Sequence, residues 1–250
     1  MLLVLTYHRV VENPGLISGF FDVSADELNQ HLQAAKTIWG SGRLVSDVQQ
    51  EGSPRPRDRA GFLVTFDDGT LDHYVVAAPV LERNGLRGVF FVSTALLGTP
   101  GYMSVAQCRD LQDRGHSIES HSHEHKILVG LEPAELRAQL GSSRQILRDL
   151  GLGKGEFLAV PGGYFDKPVV ETAKATGYLA LRTIRWGYNR HLKPFHVESI
   201  TVNRKTAGTS LGFLLSPNFE IAKKVIYGTK ELLKGSLPRV YSSVRYQTRR

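Results

Sequence analysis

The chain has 250 residues, 41% of them hydrophobic and 22% charged, ordinary values that exclude disordered, collagen-like and membrane-spanning classes. The formal charge is +7, but eight Lys or Arg against two Glu between Phe219 and Arg250 place six of those seven charges in the last stretch. A near-neutral body offers no basic groove, so no nucleic-acid partner is expected. One cysteine, Cys108, forbids an intramolecular disulfide and reads as a packed helix position. The five residues Met1 to Leu5 are too short for a signal peptide, and no apolar run reaches the ~18 residues of a membrane span. A cytoplasmic location is the expectation.

Leu2 to Tyr7 reads as a first buried strand with His8 just past its end. Residues 9–21 form a loop, and Ser24-Ala25-Asp26-Glu27 is a capping box that opens a helix running to Gly40. A short helix over 46–51 and a proline-broken loop over 52–59 follow. The chain then settles into a beat of strand, loop, amphipathic helix and glycine. Strands are predicted at 62–66, 87–92, 116–120, 156–160 and 179–183, helices at 72–84, 104–114, 133–150 and 168–176. Each helix ends on a glycine (Gly85, Gly115, Gly151, Gly177), the residue that most readily takes the left-handed stop. A last strand is expected at 197–202 and a short segment at 210–215. Alternation of this kind implies parallel strands under helices, with every strand's carboxyl end on one face. The fold class is therefore α/β, a distorted (β/α) barrel of about seven strands, TIM-barrel-like. An open doubly wound sheet fits less well because it expects a phosphate-binding glycine-rich turn that the sequence lacks.

The chemistry collects at predicted strand ends. Leu63-Val64-Thr65-Phe66 runs apolar into Asp67-Asp68-Gly69, two like charges that need solvent or a shared cation. His121 and His125, four apart, place two imidazoles on one side of a turn, and with one carboxylate they make a two-His, one-Asp metal set. A ligated carboxylate stays ionised while its neighbour can accept a proton from water. The plainer reading makes Asp68 the cap of the helix opening near Leu71, and the histidines surface residues.

Thr65-Phe66-Asp67-Asp68-Gly69 together with His121-Ser122-x-x-His125 resembles the first two motifs of the polysaccharide deacetylases of carbohydrate esterase family 4, the NodB-homology domain. The resemblance spans roughly residues 2–202. It implies a distorted barrel and metal-dependent removal of acetyl groups from N-acetylated sugars, with Zn2+ the usual ion. Asp67 would be the catalytic base, and Asp68, His121 and His125 the metal ligands. The family's Arg-x-Pro-Tyr-Gly motif falls on Ala159-Val160-Pro161-Gly162-Gly163. Gly162 would offer its N–H to the oxyanion, and Pro161 and Tyr164 would line the substrate site. Ala159 stands where the family has the arginine that positions the base, so that support is expected to be incomplete. Trp186 matches the pocket tryptophan, a sugar platform or else a packed aromatic. His196 is the nearest match to the family's general acid. His8, in a Tyr-His pair similar to that of deacetylases acting on exopolysaccharides, is a second candidate for that role and for substrate contact.

The sequence thus points to a barrel over residues 1–215 and a basic helix and tail over 216–250. The expected activity is N-deacetylation of an N-acetylhexosamine-containing oligo- or polysaccharide, or of its lipid- or nucleotide-linked precursor. The alternatives are an O-acetyl sugar esterase and, because of Ala159 and the general acid without a clean match, a sugar-binding chain without turnover. A helix over 219–234, with Ile221, Val225 and Leu232 roughly on one face, either closes the barrel or rests as a peripheral contact on an anionic membrane surface.

Overall fold

The computed structural model describes residues 1–45, 61–207, 212, 215 and 216. Seven strands make the sheet: β1 (Leu2–Tyr7), β2 (Gly61–Phe66), β3 (Gly88–Val92), β4 (Ser117–Ser120), β5 (Phe157–Ala159), β6 (Ala180–Arg182) and β7 (Ile200–Thr201). They are parallel and lie in the order β7-β1-β2-β3-β4-β5-β6, with a two-residue strand, Ser41–Gly42, added beside β2. The residues leading into β7 close the ring. Val197 donates to Leu181 O at 3.0 Å and accepts from Thr183 N at 2.9 Å on β6's side, while Leu5 pairs with Ile200 on β1's side.

The strands read as apolar runs because both their faces are covered. Leu2, Val4, Leu63, Val89, Phe91, Phe157, Ala159 and Ala180 fill the barrel interior with Val197. Their alternates, such as Leu3, Leu5, Phe62, Val64, Phe66 and Phe90, pack outward under the helices. Those helices are α1 (Ala25–Trp39), α2 (Ala78–Arg83), α3 (Val105–Asp113), α4 (Pro133–Asp149) and α5 (Lys167–Ala175). Both predicted capping boxes form: Ser24 with Glu27 opens α1, and Ser104 with Gln107 opens α3. Cys108 is buried on α3. The helix expected at 72–84 starts as a π-helical turn, His73–Ala77, before α2, a local widening that recurs at functional sites.

The short helix expected at 46–51, the loop 52–59 and the tail helix at 219–234 lie outside the described residues. Among the described residues no helix is long and apolar enough to cross a membrane.

Candidate active site

Parallel pairing carries β1, β2, β4, β5 and β6 to one face of the barrel, and the chain's acids and histidines gather there. Asp67 follows β2, and its N–H is held by Tyr7 O at 2.9 Å. The residue is 3% exposed and its carboxylate points into the barrel, where Arg182 Nη2 donates to Oδ1 at 2.6 Å and to Oδ2 at 2.5 Å. Arg182 is itself buried. Its Nη1 donates to Thr6 Oγ1 at 3.1 Å and Ser199 Oγ at 3.4 Å, and its guanidinium lies over the Phe91 ring at 5.2 Å. Burial alone would raise the Asp67 pKa, but Arg182, with His121 and His8, outweighs it and holds the carboxyl below the usual range.

Asp68 turns the other way, toward solvent and the histidines. Its Oδ1 lies 3.0 Å from His125 Nε2 and 3.3 Å from His121 Nε2. Burial raises its pKa, and the two histidines beside it lower it by more, so it is ionised. The helix-cap reading of Asp68 therefore gives way: its oxygens serve the histidines. Gly69, next in line, has φ 78°, and a Cβ there would stand 3.2 Å from the Val92 backbone, which is why glycine follows the acids.

His121 is buried at the end of β4, and His125 is exposed on the loop beyond it. The donor set fits a divalent ion. The ligating atoms of Asp68, His121 and His125 lie within 4.8 Å of one another, and two imidazole nitrogens with a carboxylate oxygen suit zinc. His121 Nδ1 faces Ala159 O at 2.8 Å, which assigns the proton to Nδ1 and leaves the Nε2 lone pair for a metal. Asp68, Ser122 and His125 are the non-glycine residues with positive φ among the described residues. Backbone strain is thus concentrated in the two segments that carry the candidate ligands.

The His121–His125 loop is pinned from outside the barrel by Gln139 of α4, 4% exposed. Its Oε1 accepts from Glu124 N at 2.9 Å, and its Nε2 donates to Glu124 Oε2 at 2.6 Å. Ser120 Oγ accepts from Ser122 N at 3.2 Å and meets Tyr178 Oη at 2.7 Å and Ser143 Oγ at 2.9 Å.

The arginine expected at position 159 is present, one strand over. Ala159 on β5 and Arg182 on β6 are direct register partners, so the guanidinium enters from the adjacent strand across a residue whose side chain is only a methyl. The expectation that Asp67 lacks an arginine partner is corrected by this pair. Sequence reading missed Arg182 because its partner is 115 residues away and no local motif links them; its placement in an apolar strand, Ala180–Arg182, was the available signal.

His8 follows β1 with its Nε2 3.9 Å from Asp67 Oδ2. Burial lowers its pKa more than the nearby Asp67 and Asp68 raise it. Its backbone carbonyl accepts from His73 Nε2 at 2.5 Å, and Asp72 Oδ2 accepts from Val10 N at 2.6 Å, so the π-helical turn and the residue before it fix the His8 segment. His196 sits in a one-turn helix, Pro194–His196, exposed, its ring edge-on to Phe165 at 4.8 Å. Pro161 is buried and Gly162 exposed in the turn Pro161–Gly163, where Gly162 has φ 63°, a conformation the family's tyrosine would adopt only under strain. Tyr164 is half-buried just after. Trp186 is half-buried and packs against the main core cluster.

Comparison with known proteins agrees with this geometry. A family model described as polysaccharide deacetylase matches residues 55–181. The chain is 26% identical over 151 residues to YxkH of Bacillus subtilis (strain 168), which carries the name of a polysaccharide deacetylase; the match covers 60% of this chain and 54% of YxkH, so the chain spans about half of that relative. In fold it is similar to the Streptococcus pyogenes deacetylase PplD in complex with acetate, with TM-score 0.76, 20% identity, and 86% of this chain and 98% of that one covered. It is also similar to a de-N-acetylase from Aggregatibacter actinomycetemcomitans, with TM-score 0.75, 19% identity, and 85% and 99% covered.

Proposed function

The chain belongs to the polysaccharide deacetylase family, and on that premise we propose that it hydrolyses the N-acetyl group of an N-acetylhexosamine residue in an oligo- or polysaccharide, with Zn2+ held by Asp68, His121 and His125. The observation that carries the reading is the division of labour between adjacent acids. Asp68 faces two imidazole nitrogens at 3.0 and 3.3 Å, while Asp67 is buried, ionised and free of the ligand set. The similarity in fold to a protein titled a de-N-acetylase supports the choice of an amide over an ester.

When bound, a divalent ion supplies Lewis-acid polarisation of the acetamide carbonyl and a lowered pKa for water. Asp67, oriented by Arg182, accepts a proton from the attacking water. The Gly162 N–H stabilises the carbonyl oxygen as negative charge develops there. The proton that Asp67 takes from water passes to the neutral His8 at Nε2, 3.9 Å away, and from there to the departing amine nitrogen, so the products are acetate and the free amino sugar. His8 is preferred to His196 as the acid because of its 3.9 Å approach to Asp67. Arg182 answers the missing arginine, one of the two grounds for a sugar-binding role without chemistry, and on that ground supports turnover.

The test is acetate release from N-acetylglucosamine oligomers before and after chelation. Release should stop in the metal-free protein and return with zinc; undiminished release after complete metal removal would refute the proposal. His8→Ala should lower kcat by about 100-fold, within the usual worth of general acid catalysis, and by more than His196→Ala does.

A further inference from the structure

The loop after β1 presents two phenylalanines to solvent at the mouth of the site. Phe20 is 48% exposed and Phe21 41%, and they stack edge to face with centroids 5.0 Å apart. Phe21 also lies nearly parallel to the His8 ring, 4.6 Å away and 29° off. The pair therefore begins one ring's width from the group closest to Asp67 on that side.

This exposure is built in. Asp22, buried, accepts from Ser18 N at 3.0 Å, Gly19 N at 2.8 Å and Arg9 Nη1 at 3.2 Å. Phe20 O accepts from Arg204 N at 2.8 Å, and Asp22 O from Arg204 Nη1 at 3.3 Å. Lys205 Nζ stands over the Phe20 ring at 5.9 Å. Burying apolar surface is favourable, so a tightly tied loop that leaves Phe20 48% and Phe21 41% exposed forgoes part of that gain. Rigid aromatic faces with few rotamers are what a binding surface uses.

Resting on the deacetylase reading, we infer that Phe20 and Phe21 form the stacking platform for the sugar residue next to the one deacetylated. The apolar C–H face of a pyranose lies flat on such a ring. Stacking on Phe21 would place the neighbouring unit beside His8, and Phe20 would extend the surface away from the site. Trp186, the sequence-based choice for a platform, is half-buried and packs against the core cluster.

The experiment compares wild type, Phe20→Ala, Phe21→Ala and Phe21→Trp on N-acetylglucosamine oligomers from dimer to hexamer, reading acetate release and, by calorimetric titration, oligomer binding. Each alanine should raise KM on the hexamer by about tenfold, with a loss in kcat/KM that grows with chain length, and Phe21→Trp should restore it. A loss equal at every length, as a displaced His8 would give, overturns the inference, as does an unchanged KM. Sedimentation with phosphatidylglycerol vesicles that depends on both phenylalanines while oligomer kinetics stay unchanged also overturns it, and assigns the pair to a lipid surface. If wild type releases no acetate yet binds oligomers through Phe21, the platform stands and the deacetylase reading falls; if it neither binds nor turns over, both fall.

Discussion

The site has an inner and an outer half that are held by different means. Asp67 is anchored from within the barrel, where Arg182, Thr6 and Ser199 sit on or beside strands. Asp68 and His125 are presented at the surface, where Gln139 grips the ligand loop through Glu124. Strands fix Asp67 because their own positions are over-determined by packing, whereas a loop with positive φ at Ser122 and His125 needs a side-chain clamp. The difference suggests separate sensitivities: the inner half governs rate and global stability, and the outer half governs metal affinity.

Removing Arg182 is the sharpest way to break that division. Arg182→Ala leaves a buried carboxylate unpaired, which costs about 3–5 kcal/mol of stability, and frees the base to drift, which lowers kcat by about 100-fold. Because Arg182 holds the Asp67 pKa down, the acid limb of the kcat/KM profile should move to higher pH. Denaturant unfolding and a pH–rate profile check both. Ala159→Arg added to Arg182→Ala, returning the guanidinium to the register-paired strand, should recover part of the rate and part of the pH shift.

Glu119 sharpens the inner half further. It lies two residues before His121 on β4, buried, with Phe157 N donating to Oε2 at 2.9 Å and Ser117 Oγ to Oε1 at 3.2 Å. Burial pushes its pKa up to about 7. The folded chain therefore keeps a proton that the unfolded chain, with its ordinary pKa of 4.5, releases over that interval, so native stability falls as pH rises from about 4.5 to 7. Glu119→Gln should be more stable than wild type by roughly 3 kcal/mol at pH 8 and equal to it near pH 4, measured by urea unfolding at both pH values.

The outer half should answer to Gln139. Gln139→Ala loosens the loop that carries His125 and should weaken zinc binding 10- to 100-fold, read by competition with a chromogenic chelator. At saturating zinc, kcat should stay within a few-fold of wild type. A large kcat loss that excess zinc does not repair would erase the distinction between the halves.

The same division explains what could be read from the chain. The seven strands were legible because parallel strands covered on both faces give unbroken apolar runs, and capping boxes at Ser24 and Ser104 placed two helix starts. The candidate metal triad of Asp68, His121 and His125 was legible because the two histidines share a local spacing. Arg182 was not, since its contact with Asp67 arises from barrel closure, as was the π-helical turn at His73–Ala77, which apolar periodicity does not distinguish from an ordinary helix. Ala159 looked like a lost function; it is the small residue that lets the neighbouring strand supply the same guanidinium.

The central claim, that Asp67 is the base in a working centre and not a buried structural acid, is tested most directly by acetate release from zinc-loaded Asp67→Asn. Bound zinc should remain at one per chain while release from N-acetylglucosamine oligomers falls by at least about 100-fold. Release at the wild-type rate with zinc in place would contradict it.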